Sequence, residues 1–211
     1  MCLNKIYLQD TKALNDLFDK LNKIFFESTL SKPVITIQHD RKARALGWFT
    51  PWESWRAGEN GATEINMSAN FLDRDPLEKA ETLLHEMCHL YAYQNKIKDH
   101  ARSGSYHNKR FKEIAESHGL IVEKSTQYGY AHTRLSDDAK AIIEPLTSNI
   151  QSLRRIEPIR KGKSSSTRKY ICPECEQSVR ATKEVNIICG DCDVRMVTNE
   201  DINEIVLGEV A

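Results

Sequence analysis

The sequence predicts an α+β protein in which a domain of helices and a small sheet is followed by a small unit built around cysteines. Three observations predict it. Apolar residues recur at helical spacing in two long stretches, 10–30 and 75–91. Short β-branched runs such as Val34-Ile35-Thr36-Ile37 lie between those stretches. Four of the six cysteines fall late in the chain as Cys172-x-x-Cys175 and Cys189-x-x-Cys192.

A chain of 211 residues with 40% hydrophobic content holds one domain of ordinary size plus an appendage. Thirty basic and thirty acidic residues balance, which excludes binding to nucleic acid or membrane by bulk charge and leaves only local patches for such contacts. Met1-Cys2-Leu3-Asn4-Lys5 has no basic segment leading into an apolar run, and no stretch approaches the ~20 apolar residues of a membrane span. The expectation is a soluble, cytoplasmic protein with no membrane partner.

In chain order, Leu14, Leu17, Phe18, Leu21, Ile24 and Phe25 predict a core-packing helix within 10–30, with Asp10 and Thr11 as caps. Strands are expected at Val34–Ile37, at Ala43–Phe49, and at Glu64–Ser68 after the turn-prone Gly58-Glu59-Asn60-Gly61. The next helix has a marked start, with Asp75 as N-cap, Pro76 first and Glu78 third. Ala80, Leu83, Leu84, Met87 and Tyr91 form its apolar stripe, and Glu78, Thr82, His85 and His89 lie on the other side. Residues 96–105 read as a loop before a helix from Ser105 to His118, ended by Gly119. Glu123–Arg134 reads as irregular, and Ser136–Glu144 as a short helix halted before Pro145.

His85-Glu86-Met87-Cys88-His89 places two histidines one helical turn apart, able to grip one metal ion, with Glu86 beside them as a base. A catalytic zinc takes three protein ligands and keeps one position for water, which it acidifies to a pKa of about 7. The third ligand must come from elsewhere. A glycine at 92 and a histidine at 95 would continue one zinc-peptidase pattern, but these are Ala92 and Asn95. Glu113, His100, His107, His118 and His132 are the downstream candidates. His107 is best placed, near the start of the next helix with Phe111 one turn later to anchor it. Cys88 borders the apolar stripe and reads as a small buried residue. Tyr91, Tyr106 and Tyr128 are candidates for a second donor to an oxyanion. Trp48, Trp52 and Trp55 read as a cap on the core rather than a cleft lining, and Glu64–Ser68 as a free edge for an extended substrate.

The two cysteine pairs are thirteen residues apart, and that interval holds Val179-Arg180-Ala181 and Val185-Asn186-Ile187-Ile188, enough for a hairpin between two knuckles. Cys172, Cys175, Cys189 and Cys192 therefore predict a zinc ribbon whose ion is structural, because four thiolates close its coordination. Arg154–Lys169 carries seven basic residues against Glu157, with Gly162 and three serines. It reads as a flexible basic linker, as fit to be a solvated tether as to contact DNA with Tyr170 stacking on a base. The ribbon itself, 169–197, holds four basic and five acidic side chains and is no basic patch.

Several of these segments together resemble the SprT-like (Spartan-type) zinc metalloproteases. They are Leu83-Leu84-His85-Glu86-Met87-Cys88-His89, Ser105-Tyr106-His107-Asn108-Lys109-Arg110-Phe111, the basic linker and the four-cysteine ribbon, with Asn22–Phe26, Leu46-Gly47-Trp48 and Glu64–Ser68 upstream. Asn108 departs from the glycine that this family often has after its third histidine. The resemblance implies a zincin-like metallopeptidase domain over 1–150, a linker over 151–169, a ribbon over 170–197 and an acidic tail over 198–211. It implies one catalytic zinc on His85, His89 and His107, Glu86 as general base, and one structural zinc on the four cysteines. It also implies protein substrates that are bound or crosslinked to DNA. The contrasting expectation is a DNA-binding or regulatory protein that keeps the metal site and cleaves little.

Overall fold

The computed structural model describes residues 2–39, 45–101, 106–153, 155 and 167–198. The chain forms two compact units, 1–156 and 157–211. It is a mixed α+β protein with small sheets and four α-helices among the described residues.

The first unit opens with helix α1, Leu3–Phe25, which buries Leu14, Leu17, Phe18 and Leu21 as their spacing predicts. It starts earlier than expected. Asp10 and Thr11 are interior positions rather than caps, and Asp10 is fully buried. Strands β1 (Val34–Gln38), β2 (Gly47–Ala57) and β3 (Asn60–Ser68) form one sheet in the order β1-β3-β2. β3 is parallel to β1 and antiparallel to β2. Glu64–Ser68 is therefore interior and bonded on both sides, which overturns its reading as a free edge; β2 is an edge instead. The strand expected from Ala43 begins at Gly47 and runs on through the tryptophans, while residues 40–44 lie outside the described residues.

Between Thr50, opposite Glu64, and Trp55, opposite Ala62, β2 spends four residues against one of β3. Pro51, which has no N–H to give a sheet, opens this bulge. The bulge turns Trp52 outward to 60% exposure, and Trp55 is 44% exposed. The tryptophans do not cap the core.

Helix α2, Pro76–Gln94, begins as its sequence dictates: Asp75 Oδ1 accepts from Leu77 N at 2.8 Å, and Glu78 Oε2 accepts from Asp75 N at 3.2 Å. Ala80, Leu83, Leu84 and Met87 are fully buried in a core shared with α1 and β3, where Ile65 and Met67 meet them. Cys88 is buried too, which pushes its thiol pKa up. A second sheet follows, with strands β4 (His100–Ala101), β5 (Tyr106–His107), β6 (Leu120–Ser125) and β7 (Gly129–Leu135) in the order β4-β5-β7-β6. The segment read as irregular is thus a β6–β7 hairpin. Its turn is made by Ser125 Oγ, which accepts from Gln127 N and Tyr128 N, and by Gly129 at φ +67°. Helix α3 spans Lys109–Ser117, so His107 belongs to a strand rather than to the start of that helix. Helix α4, Asp137–Ile143, is capped by Ser136 and stops before Pro145 as predicted.

One buried ion ties the end of this unit to its middle. Lys79 on α2 is fully buried, and its Nζ donates to the carbonyls of Leu72 and Gln151 at 2.9 and 2.5 Å. Asp10 on α1 accepts from Gln151 N at 2.8 Å. Burial lowers the Lys79 pKa against the pull of Asp10, and burial raises that of Asp10 against the pull of Gln151 N–H and Lys79.

The second unit has strands β8 (Arg168–Ile171), β9 (Ser178–Ala181) and β10 (Val197–Thr198) in the order β10-β8-β9. The hairpin is β8–β9, and Val185–Ile188 is not a strand; Ile188 makes a single bridge to Arg195. Arg168 and Lys169, read as linker, belong to β8. Most of that linker (154 and 156–166), along with 199–211 of the tail, lies outside the described residues. Tyr170 is 4% exposed, packs among the ribbon cysteines and accepts from Val185 N through its hydroxyl, so its ring is not available to stack on a base.

Replacing Lys79 by Met leaves Asp10 buried without its counter-charge and the Gln151 carbonyl without the Lys79 donor, while Leu72 O keeps the Leu153 N–H. Chemical denaturation is expected to show a loss of about 3 kcal/mol or more, the usual effect of breaking a buried charge network; a loss within ±0.5 kcal/mol would refute this account of the network.

Candidate metal centre and its cleft

Three histidines from two elements meet. His85 and His89 stand one turn apart on the face of α2 away from its core stripe, and His107 comes from β5. His107 Nε2 lies 3.3 Å from His85 Nε2 and 3.0 Å from His89 Nε2. Ligands of a tetrahedral zinc with bonds near 2.05 Å stand about 3.3 Å apart, so this triangle fits that ion. The other candidates for a third ligand lie elsewhere. His118 stacks on Phe26 at 4.2 Å, and Glu113 and His132 are exposed. His100 is near, but its Nδ1 is engaged by Asp99.

Two of the three outer nitrogens are held, and His107 Nδ1 is buried with no hydrogen-bond partner among the described residues. His89 Nδ1 donates to Asp99 Oδ2 at 2.5 Å, which leaves its Nε2 a lone pair for a metal, and His85 Nδ1 is 3.0 Å from Thr133 Oγ1 on β7. Asp99 Oδ1 is 2.6 Å from His100 Nδ1, so one carboxylate orients two rings. Burial pushes the Asp99 pKa up, but the hydrogen bond and charge of His89, followed by those of His100, outweigh it and hold the carboxyl below its usual value. Burial, then repulsion from His89 and His107, pushes the His85 imidazole well below its ordinary pKa; burial and His89 push that of His107 down to about 3. Both are kept neutral, the form that binds metal.

His107 is placed by backbone. Its N–H donates to Tyr128 O at 3.0 Å, and it pairs with Gly129 on one side and His100 on the other. A Cβ at Gly129 would meet His107 O at 2.1 Å and the Tyr106 ring at 2.8 Å, so only glycine allows this approach. Asn108 has its own use, for its Oδ1 caps α3 by accepting from Arg110 N and Phe111 N, while its Nδ2 donates to Lys98 O at 2.8 Å. Phe111 is fully buried under the three imidazoles, 4.5–4.8 Å from each ring.

Glu86 and the three histidines open onto a cleft of about 530 Å³. Burial pushes the Glu86 carboxyl pKa up to about 7 against the pull of His89 and of the Phe49 backbone N–H, a range suited to a base at neutral pH. Gly47 lets β2 close on the helix here, since a Cβ would meet Asn66 O and Thr82 Cγ2 at 2.9 Å and Glu86 Cγ at 3.5 Å. Tyr91 packs against Phe26 and His118 on the core side. Of the tyrosines, neither Tyr91, Tyr106 nor Tyr128 lines the cleft; Tyr93 does. Asp99, Thr133 and Gly129 carry no sequence signal of their own, because each matters through a partner distant in sequence; Gly47 is marked only by the Leu46-Gly47-Trp48 resemblance.

The cysteines of the ribbon repeat one turn twice. Glu176 N donates to Cys172 O and Cys172 N to Gln177 O; Asp193 N donates to Cys189 O and Cys189 N to Val194 O. Glu176 and Asp193 take the same left-handed backbone, φ 58° and 54°. Cys175 and Cys189 Sγ are 3.7 Å apart, matching the separation of about 3.8 Å for thiolates at about 2.3 Å from a tetrahedral zinc. The Cys175 backbone N–H brings the Cys172 thiol down to about 7, toward the thiolate a metal needs.

Asp99→Asn is expected to weaken zinc binding at the histidine site about 10- to 100-fold in chelator competition, the usual effect of losing a carboxylate behind a histidine ligand. Unchanged affinity would show that Asp99 does not support His89.

No helix among the described residues is long and apolar enough to cross a membrane. Comparison with curated proteins and with solved structures gives no match. The model of the SprT-like family matches residues 14–132, more than half of the chain and a span that includes His85, Glu86, His89 and His107. The chain belongs to the SprT-like family.

Proposed function

We infer that the chain is a zinc-dependent endopeptidase with a zincin-like catalytic domain, and the carrying observation is the shared wall of one cleft formed by Glu86 and the three converging imidazoles. His85, His89 and His107 would hold the catalytic zinc, and Cys172, Cys175, Cys189 and Cys192 a structural one. Zinc in such a three-histidine site acidifies water and polarises a carbonyl. Glu86 takes the proton from the attacking water on its carboxylate and returns it to the nitrogen of the leaving amine. Asp99 fixes the tautomer and orientation of His89, and Thr133 orients His85. The outer edge of β2 borders the cleft through Gly47 and Phe49, and an extended substrate lies along it by strand addition, pairing with the groups left after the Phe49 N–H is given to Glu86.

Proteins bound or crosslinked to DNA are the substrate class favoured by membership of this family together with the basic residues of 154–169. The test is to incubate zinc-loaded full-length chain with a DNA-binding protein, with and without single-stranded DNA. Cleavage is expected to require both DNA and Glu86. Cleavage that ignores DNA would make it a general peptidase; DNA binding with no cleavage would make it a binding or regulatory protein. Glu86→Gln is expected to keep its zinc and lose cleavage by at least about 10²-fold, the lower range for a general base. Elemental analysis is expected to find two zinc ions per chain and one after Cys172→Ser; an unchanged count would refute the structural site.

A further inference from the structure

The geometry points to a slot beside the metal centre that takes a large apolar side chain of an extended polypeptide. Trp48, Pro51 and Trp52 of β2 line it, together with Tyr93 and Ile97. This rests on the peptidase reading and names the substrate feature that the site selects.

The direction of β2 comes first. Leu46 O accepts from Ser68 N, whereas the Phe49 N–H is given to Glu86. In an antiparallel pair the two sides alternate along the strand, so Gly47 and Phe49 present their backbone away from β3, toward the cleft. The next residue in that series is Pro51, with no N–H to offer, and there β2 bulges. Backbone pairing with a substrate ends at Pro51, and side chains take over. Trp52 stands at the mouth of the cleft with 60% of its surface exposed.

The other apolar lining comes from the end of α2 and the chain just beyond it. Tyr93 is one turn beyond His89 and 42% exposed, and its ring leans on Phe49 with centroids 5.7 Å apart. Ile97 N bonds back to Ala92 O at 2.8 Å, folding the chain after the helix toward the cleft. Exposed aromatic rings lining one cleft forgo burial that an apolar occupant restores. The charges that line the cleft are Glu86, Asp99 and Lys98, and both Asp99 oxygens are engaged by histidines. One lysine against two carboxylates does not make the positive groove that a nucleic-acid strand requires. Folded proteins bury their large apolar side chains, so the polypeptides that fit are unfolded or locally extended.

The experiment uses zinc-loaded full-length chain and two peptides that differ at one residue flanking the scissile bond, Phe or Ala, that residue having first been located by digesting a mixed peptide library. The Phe peptide is expected to have a kcat/KM at least about tenfold higher, the scale of a large apolar contact. Trp52→Ala and Tyr93→Ala are each expected to bring that ratio toward one. Trp55→Ala, exposed on the same strand but outside the cleft, is expected to leave it alone. Equal cleavage of both peptides, or a ratio unmoved by Trp52→Ala and Tyr93→Ala, overturns the slot while leaving the peptidase reading intact. If no peptide is cut, the peptidase reading fails, and the slot is then judged by binding to the Glu86→Gln chain through tryptophan fluorescence. Tighter binding of the Phe peptide that is lost with Trp52 supports it. A response to an oligodeoxynucleotide and to neither peptide assigns the aromatic lining to bases and overturns it.

Discussion

Three half-buried imidazoles whose nitrogens are held 3.0 and 3.3 Å apart set the terms for the rest of the first unit. At these distances no water fits between the nitrogens, and the Nε2 lone pair of His89 points into the same space as the other two. The arrangement makes physical sense around a cation. Everything near it either fixes a ring or keeps it neutral: Asp99 behind His89, Thr133 behind His85, and the Phe111 ring beneath all three.

Such convergence needs elements far apart in sequence to approach closely, and the fold supplies glycine where they do. Gly129 lets β7 run against His107, and Gly47 lets β2 lie on α2 beside Glu86. α2 serves two ends at once. Its fully buried stripe of Ala80, Leu83, Leu84 and Met87 fixes the helix in the core, so the opposite side can carry polar groups at set positions. Lys79 and Asp10 add a charged clamp at the base of the same helix, joining it to α1 and to the segment around Gln151. The exposed aromatic residues at the cleft fit the same division, since side chains not needed to hold the metal centre are left for what enters it.

What could be read in the sequence was whatever is encoded locally. The α2 start is written in Asp75, Pro76 and Glu78, and the pairing of His85 with His89 follows from helical spacing alone. The cysteine pairs are equally local, down to the repeated turn after Cys175 and Cys192. His107 is legible from its position after the metal helix, although it sits in a strand and the helix begins two residues later behind Asn108. What escaped depends on pairing across the chain. Glu64–Ser68 has the pattern of a strand, but nothing in those five residues says that strands flank it on both sides. The β6–β7 hairpin was hidden by polar residues on its exposed face, and the tryptophans by a bulge that shows only in the register. Asp99 is one acidic residue in a polar loop until the loop closes on His89.

The most direct test of the central claim is the zinc K-edge fine structure of the full-length chain with both ions bound. The account predicts two populations of equal size, one with sulfur neighbours at about 2.3 Å and one with only nitrogen and oxygen at about 2.0 Å. His107→Ala should diminish the second and leave the first. Sulfur around every zinc, or a nitrogen and oxygen shell indifferent to His107→Ala, would contradict it.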